Sequence, residues 1–420
     1  MNQYSQAVGD TAYNNWHPVL HTLLFYTLPL KLINHFGFIV FLQLLYFCLA
    51  FTYLILVMYQ TGCPKVLLIV SYIYVWLNPY LITCMMTPMK DIAMLIFSVL
   101  LIAYYIRIIC SKGAWLRKKR NLILFTLASV LCLYMRYNAL FFVAPIIAMA
   151  LFYAVKDKKI RLHAIMLLLI FFASVRVLYF CLDVEQPTQR TVEAIGLPVS
   201  IWCNVMKETP DVLPTEAQDF MYSIASQETY DSFYVGTGFN SVKWAGMDLD
   251  LLDTISWSDV LKYTFQCFRC APRQSLEAVA RLTDFVWGIE MKDEPFTIFV
   301  AENQWGISSN SSPKAALFVL QIETIFTYSP LDILFGSYGL GLLVLLVIAL
   351  VLFAGNRMSA FHILPLFIYD FGTMLLLSGR DSRFFLFNLP LWLPMIFLLI
   401  RDETPFTNSS KRSPVECIEE

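Results

Sequence analysis

The chain has 420 residues, of which 58% are hydrophobic and only 15% charged, with a mean hydropathy of +0.62. A soluble core has no use for so much apolar surface, so the composition excludes an ordinary soluble protein and points to a polytopic membrane protein. A net charge of −1 gives no reason to expect nucleic acid as a partner.

The opening, Met1-Asn2-Gln3-Tyr4-Ser5-Gln6, is polar and lacks the basic segment and apolar run of a signal peptide. Asn15-Trp16-His17-Pro18 and His21 follow. Residues 19–33 are apolar but short, and they carry Pro29 and Lys31. They read as an interfacial or re-entrant helix within an external loop, 1–35. A spanning helix needs about 20 mostly apolar residues. Six such stretches, 36–59, 65–86, 90–110, 121–135, 138–155 and 160–181, make an N-terminal bundle over 36–181. Residues 182–328 have ordinary globular composition and read as one external, mostly α domain between spans six and seven. That domain ends in an amphipathic surface helix over 315–328. Spans at 332–354, 359–378 and 383–400 make a C-terminal bundle within 329–400, and 401–420 reads as a cytoplasmic tail. The fold class expected is an all-α polytopic membrane protein of about nine spans.

Short loops rich in Lys and Arg stay cytoplasmic. Two loops qualify, Lys112 to Arg120 and Lys156 to Arg161. With both inside, Lys90-Asp91, the Arg136-Tyr137-Asn138 turn, the 182–328 domain and Arg380-Asp381-Ser382-Arg383 all fall outside. This count closes only if 19–33 does not cross. An external loop at the start of a chain normally follows an earlier span, so a first transmembrane helix is expected to be missing.

Each ionisable group at these outer ends has a functional and a bland reading. Asp91 is a candidate catalytic carboxylate, or a charge favoured by the positive end of its helix, with Lys90 as an interfacial anchor. Arg136 suits a phosphate, because its planar fork makes paired hydrogen bonds, or it snorkels to the headgroups. Of Arg380 and Arg383, one is expected on a donor phosphate and the other on Asp381. Arg383 is preferred for the phosphate because it begins the last span. His17 and His21, four apart, share a helix face and suit contacts to acceptor or phosphate better than metal. Asp370 lies inside a predicted span and reads as structural or as a pairing residue. The ten cysteines form no framework, and the lone C-x-x-C of Cys267 and Cys270 allows a local disulfide but no zinc site.

The layout, with an outer loop lying on the membrane, leading spans and a later external domain, resembles the GT-C glycosyltransferase superfamily. Asn14-Asn15-Trp16-His17-Pro18-Val19-Leu20-His21-Thr22, Lys90-Asp91 and Arg136-Tyr137-Asn138 resemble an uncharacterised bacterial branch of it, akin to dolichyl- or polyprenyl-phosphate-sugar mannosyltransferases. The resemblance implies a multi-pass enzyme of the cytoplasmic membrane. Its expected partners are a polyprenyl-phosphate-linked sugar donor, membrane lipids and an envelope glycan, lipid or protein acceptor. It implies Asp91 as catalytic and Asp10 as a fallback acid for one that the branch carries in its first outer loop, so a truncated, inactive copy is one expectation. Lys90, Arg136 and Arg383 would bind donor phosphate, and Asn15, His17, His21 and Asn138 would shape the acceptor side. No cofactor is certain, and a divalent metal is compatible with the reading. The main alternative is a multispan transporter or flippase of envelope lipids or glycans. Transporters set their key polar groups near the midplane, often in broken helices, whereas the mid-span ionisable groups here reduce mainly to Asp370. A membrane acyl- or phosphotransferase would need a His/Asp or metal cluster, and a scaffold would leave Lys90-Asp91 and Arg136 unexplained.

Overall fold

The computed structural model describes residues 2–154, 157–186, 190–289, 303–307 and 313–401. Residues 402–420 of the expected tail, and an Asn310-Ser311-Ser312 glycosylation-like triplet, lie outside the described residues. Among the described residues there are helices and no β-strand, apart from an isolated parallel bridge between Asn14 and Glu185. They fall into two compact units. The first is drawn from Met1–Glu185, Ile289–Tyr369 and Phe385–Glu420, and the second from Gln186–Gly288 and Asp370–Phe384.

Four helical segments are long and apolar enough to cross a membrane: Phe36–Gln60, Lys90–Cys110, Lys158–Cys181 and Ser382–Ile400. A fifth counts if the bent pair Lys65–Leu77 and Pro79–Met85 is one span. The 21 residues of Lys90–Cys110 rise about 32 Å at ~1.5 Å each, which matches a hydrocarbon core of about 30 Å. The chain is therefore all-α and carries membrane-type helices. The nine full-length spans expected from hydropathy are not all found. Lys119–Met135 and Tyr338–Ala354 have 17 residues each, the helical stretch Tyr137–Tyr153 is also short, and 359–378 divides into a 3-10 turn, Met358–Ile363, and a helix, Leu364–Met374.

The breaks have local causes. Pro79 lacks an N–H and disfavours helical geometry in the residue before it. Asn78 is accordingly extended, and its Oδ1 accepts from the Leu81 amide at 2.9 Å to cap the second half. The bend is 59°. Ser337 caps Tyr338–Ala354 in the same way and divides it from Leu331–Gly336. Within Val19–Leu32 a π-turn, Leu23–Thr27, comes just ahead of Pro29. Such a wider turn accommodates a proline that cannot join the ordinary ladder.

Five helices of the first unit end alike, the first of them Asn2–Val8, where Gly9 has positive φ and the Asp10 amide reaches back to the Ser5 carbonyl. In the other four, Gly62, Lys112, Asp183 and Asn356 have positive φ, and the next residue's amide likewise reaches back five residues: Cys63 to Met58, Gly113 to Ile108, Val184 to Tyr179 and Arg357 to Leu352. This is the Schellman termination, which satisfies otherwise orphaned carbonyls.

Burial ranks the long helices. Lys90–Cys110 is 83% buried along its apolar window and Lys158–Cys181 only 11%. The first is the central post of its unit, and the second shows its apolar length to the surroundings. Contacts between helix ends then mark two ends of this unit. At one end Asp91 meets Arg136. At the other, Arg401 touches the Cys110 sulfur, and the Tyr153 hydroxyl meets His362 Nε2 at 2.8 Å. The basic Lys112–Arg120 loop belongs to the Cys110 end.

The second unit centres on Gly196–Glu208, packed by Trp257–Cys270 and Pro272–Trp287. Trp202 is buried there, its indole N–H on Thr264 Oγ1 at 3.0 Å, and Phe220 stacks on Tyr263 at 4.4 Å. Cys267 and Cys270 are unpaired thiols, the former buried in this core.

Gly113 joins the basic loop to the neighbouring helix. Its φ is +83°, and a Cβ there would sit 2.6 Å from the Tyr153 carbonyl oxygen. Gly113→Ala is expected to cost about 1 kcal/mol or more and to lower the melting temperature of the detergent-purified protein. An unchanged melting temperature would show that the loop does not pack there.

Candidate active site

The site grows from three interruptions in apolar sequence. Lys90–Cys110 begins after Met89, which is extended and offers no side-chain cap. Asp91 thus stands in the first turn, where the exposed amides favour a negative charge. Lys119–Met135 stops at Arg136, whose backbone is extended at φ −152°. A 3-10 turn, Tyr137–Ala139, then leads into Leu140–Tyr153. These two ends bring Arg136 and Asp91 into a buried ion pair, with 8% and 6% of their side chains exposed.

The pair continues into a polar chain. Arg136 Nε donates to Asn138 Oδ1 at 3.1 Å, and Asn138 Nδ2 donates to the Tyr369 hydroxyl at 2.9 Å. That hydroxyl points on toward Met94 Sδ at 3.9 Å, and the Tyr369 ring is enclosed by Phe142, Phe385 and Phe387. Surrounded by rings, the hydrogen bonds work in a low dielectric, where each counts for more and a missing one costs more.

The loop before Asp91 is tied down by side chains from other helices. Gln43 Nε2 donates to the Met85 and Thr87 carbonyls, both at 2.8 Å, and the Tyr26 hydroxyl donates to the Pro88 carbonyl at 2.6 Å. The N-terminal segment closes another side. The Tyr137 hydroxyl donates to the Asn15 carbonyl at 2.6 Å, the Asn15 amide donates to the Glu185 carbonyl at 2.9 Å, and the Tyr179 hydroxyl accepts from the Leu20 amide at 2.9 Å.

His21 is fully buried, stacked on Phe25, with Nδ1 2.7 Å from Gln3 Nε2. An amide N–H can only donate, so Nδ1 accepts and the proton sits on Nε2. Nε2 has no hydrogen-bond partner among the described residues. Burial first, then the Lys90 ammonium and the neighbouring His17 imidazole, pulls the imidazole down to about 3. His21 is therefore a neutral group near pH 7, able to donate a hydrogen bond but not to supply charge.

The other expected site residues lie as follows. Lys90 and His17 are half-buried and close enough to His21 to act on its charge. Asn15 is buried. Asp10 is exposed on the turn after Asn2–Val8 and accepts from the Trp305 indole at 2.7 Å. Among the described residues no hydrogen bond or ion pair joins it to Asp91. Arg383 belongs to the second unit and clamps Asp381 with two nitrogens, Nε at 2.7 Å and Nη2. Arg380 pairs with Asp284 at 2.7 Å in that unit, so Arg383, the preferred phosphate ligand, is the one that holds Asp381. Asp370 is fully buried. Among the described residues no group of three or more His, Cys, Asp or Glu is placed to hold a metal ion.

Gln3, Tyr26, Gln43 and Tyr369 were not anticipated. Only Gln43 carried a signal, a carboxamide inside an apolar run. The chain matches no family model, no curated protein and no solved structure.

Removing one partner of a buried ion pair strands the other charge, at a cost of about 3–5 kcal/mol. Arg136→Met alone should therefore destabilise strongly. Arg136→Met combined with Asp91→Leu should recover most of that loss in thermal melting. Equal melting temperatures for the single and double variants would mean that the two side chains do not meet.

Proposed function

We propose that the protein is a GT-C-type membrane glycosyltransferase. It moves a sugar from a polyprenyl-phosphate donor to an envelope glycan, lipid or protein acceptor at the outer face of the cytoplasmic membrane. The observation that carries this reading is the buried Asp91–Arg136 pair at one end of the central apolar helix, with Lys90 next to Asp91 in sequence and close enough to His21 to act on its charge.

The reaction needs a base for the acceptor hydroxyl, cationic groups for the departing phosphate and an apolar surface for the lipid tail. Before a substrate arrives, Arg136 is paired with Asp91. An arriving phosphate offers Arg136 a second anion, and Lys90 adds to the attraction. As Arg136 turns toward the phosphate, the Asp91 carboxylate is released to take the proton of the acceptor hydroxyl. The hydroxyl oxygen attacks the anomeric carbon. The sugar–phosphate C–O bond breaks, and its electron pair leaves on the phosphate oxygen with inversion at carbon. The neutral Nε2–H of His21 suits a phosphate or sugar oxygen. The exposed apolar lengths of Phe36–Gln60 and Lys158–Cys181 offer surface to a polyprenyl tail. In this reading Arg136 and Lys90 carry the donor contact, and Arg383 stays with Asp381.

One observation favours the second reading, a transporter or flippase of envelope lipids or glycans. The helix broken at Asn78-Pro79 is of the kind that transporters use to line a substrate path. Proteoliposomes supplied with a panel of polyprenyl-phosphate sugars separate the two. We expect transfer by the native chain, and a fall of at least about 100-fold in Asp91→Asn, the scale of a lost general base. Arg136→Lys, which keeps the charge but not the fork, should also lose transfer. Unchanged transfer in both variants would remove the site assignment. Lipid translocation without transfer from any donor would favour the transporter.

A further inference from the structure

We infer that the end of the first unit opposite Asp91 carries a binding site for an anionic phospholipid, in a groove between Leu140–Tyr153 and Lys158–Cys181. The groove is shallow and open to the surroundings, has a volume of about 470 Å³ and is almost wholly apolar. Leu151 and Phe152 form one wall. Leu162 and Ile165 form the other, and Lys158 and Arg161 stand on the same wall. Positions 158, 161, 162 and 165 recur at helical spacing, so a single helix face presents two cations and then two aliphatic side chains. An anionic headgroup joined to an acyl chain has that same order of charge and grease.

Among the described residues no carboxylate pairs with Arg161. Its Nε is buried and has no hydrogen-bond partner among the described residues. The nearest acid in sequence, Asp157, is spent on its own helix, where it accepts from the Lys159 and Ile160 amides at 3.1 and 3.3 Å. A buried guanidinium nitrogen without an acceptor is costly, and a phosphate oxygen removes that cost through a charge-assisted bond. The surroundings add to the field. Gly113 packs against the Tyr153 carbonyl and brings the loop bearing Lys112, Arg117, Lys118, Lys119 and Arg120 to this end. Basic pockets between membrane helices on the side with the basic loops suit anionic lipid headgroups. Lys158–Cys181 is the least buried of the long helices, so its face is open to lipid. The site stands apart from the Asp91 group and does not depend on the proposed enzymatic activity.

Thermal melting of the detergent-purified full chain tests it, with phosphatidylglycerol, phosphatidylcholine or inorganic phosphate added to the native protein and to a Lys158→Gln/Arg161→Gln variant. Phosphatidylglycerol should raise the native melting temperature by several degrees, and phosphatidylcholine and free phosphate should not. The variant should melt like the native chain in detergent alone and lose the phosphatidylglycerol increment. An equal increment in the variant, or an equal response to phosphatidylcholine, would overturn the proposal, and a response to free phosphate would make it an anion site without lipid selectivity. Should the variant not fold, photo-reactive phosphatidylglycerol on the native chain decides. Labelling of the peptide spanning 148–165 supports the site, and its absence there contradicts it.

Discussion

One buried ion pair sets the terms for the first unit. Taking a carboxylate and a guanidinium out of water costs several kcal/mol per ion, and only close geometry with further hydrogen bonds repays it. Asp91 and Arg136 meet that condition because Asn138 and Tyr369 extend the pair into a chain of polar contacts. The consequence is registration. Asp91 opens one helix, Arg136 closes another, Asn138 lies in the turn that starts a third, and Tyr369 comes from far along the chain. Apolar helices slide past one another at little cost, and a buried charge pair does not. The pair is therefore what fixes these four segments at one level.

In the proposed reaction the same pair supplies a carboxylate for the acceptor hydroxyl and a guanidinium for the phosphate. A carboxylate buried alone would take up a proton and lose its value as a base. In the proposed reaction an arriving phosphate would take the place of Asp91 on Arg136. His21 contributes differently, because burial and the neighbouring Lys90 and His17 keep it neutral and a donor. The unit is polarised along its length. Paired and hydrogen-bonded groups gather at the Asp91 end, while the basic Lys112–Arg120 loop belongs to the Cys110 end.

Much of this was legible in the sequence, and the rest was hidden for physical reasons. Lys90-Asp91 and Arg136-Tyr137-Asn138 stood out because ionisable groups interrupting apolar runs are rare enough to need a reason. That they face each other could be argued only through sidedness, since no local pattern encodes which helix ends meet. Tyr369 was invisible, because tyrosine in an apolar helix is ordinary and only its neighbours make it a link in the chain. Gln3 was hidden in a polar opening with no periodicity. Hydropathy averaged across Asn78-Pro79, Ser337 and the 3-10 turn at Met358–Ile363, so continuous spans were expected where capped breaks occur. Arg380 and Arg383 were both noticed, but which of them would hold Asp381 depends on Asp284 lying beside Arg380, a contact across about a hundred residues of chain.

The exchange of Arg136 between carboxylate and phosphate is the claim on which the functional account turns. An experimental structure of the chain in a lipid nanodisc with a polyprenyl phosphate bound tests it most directly. The account predicts phosphate density within hydrogen-bond reach of Arg136 and Lys90, with the Asp91 carboxylate drawn away from the guanidinium and facing open space for an acceptor. Phosphate bound elsewhere, with the Asp91–Arg136 pair intact and enclosed, would contradict it.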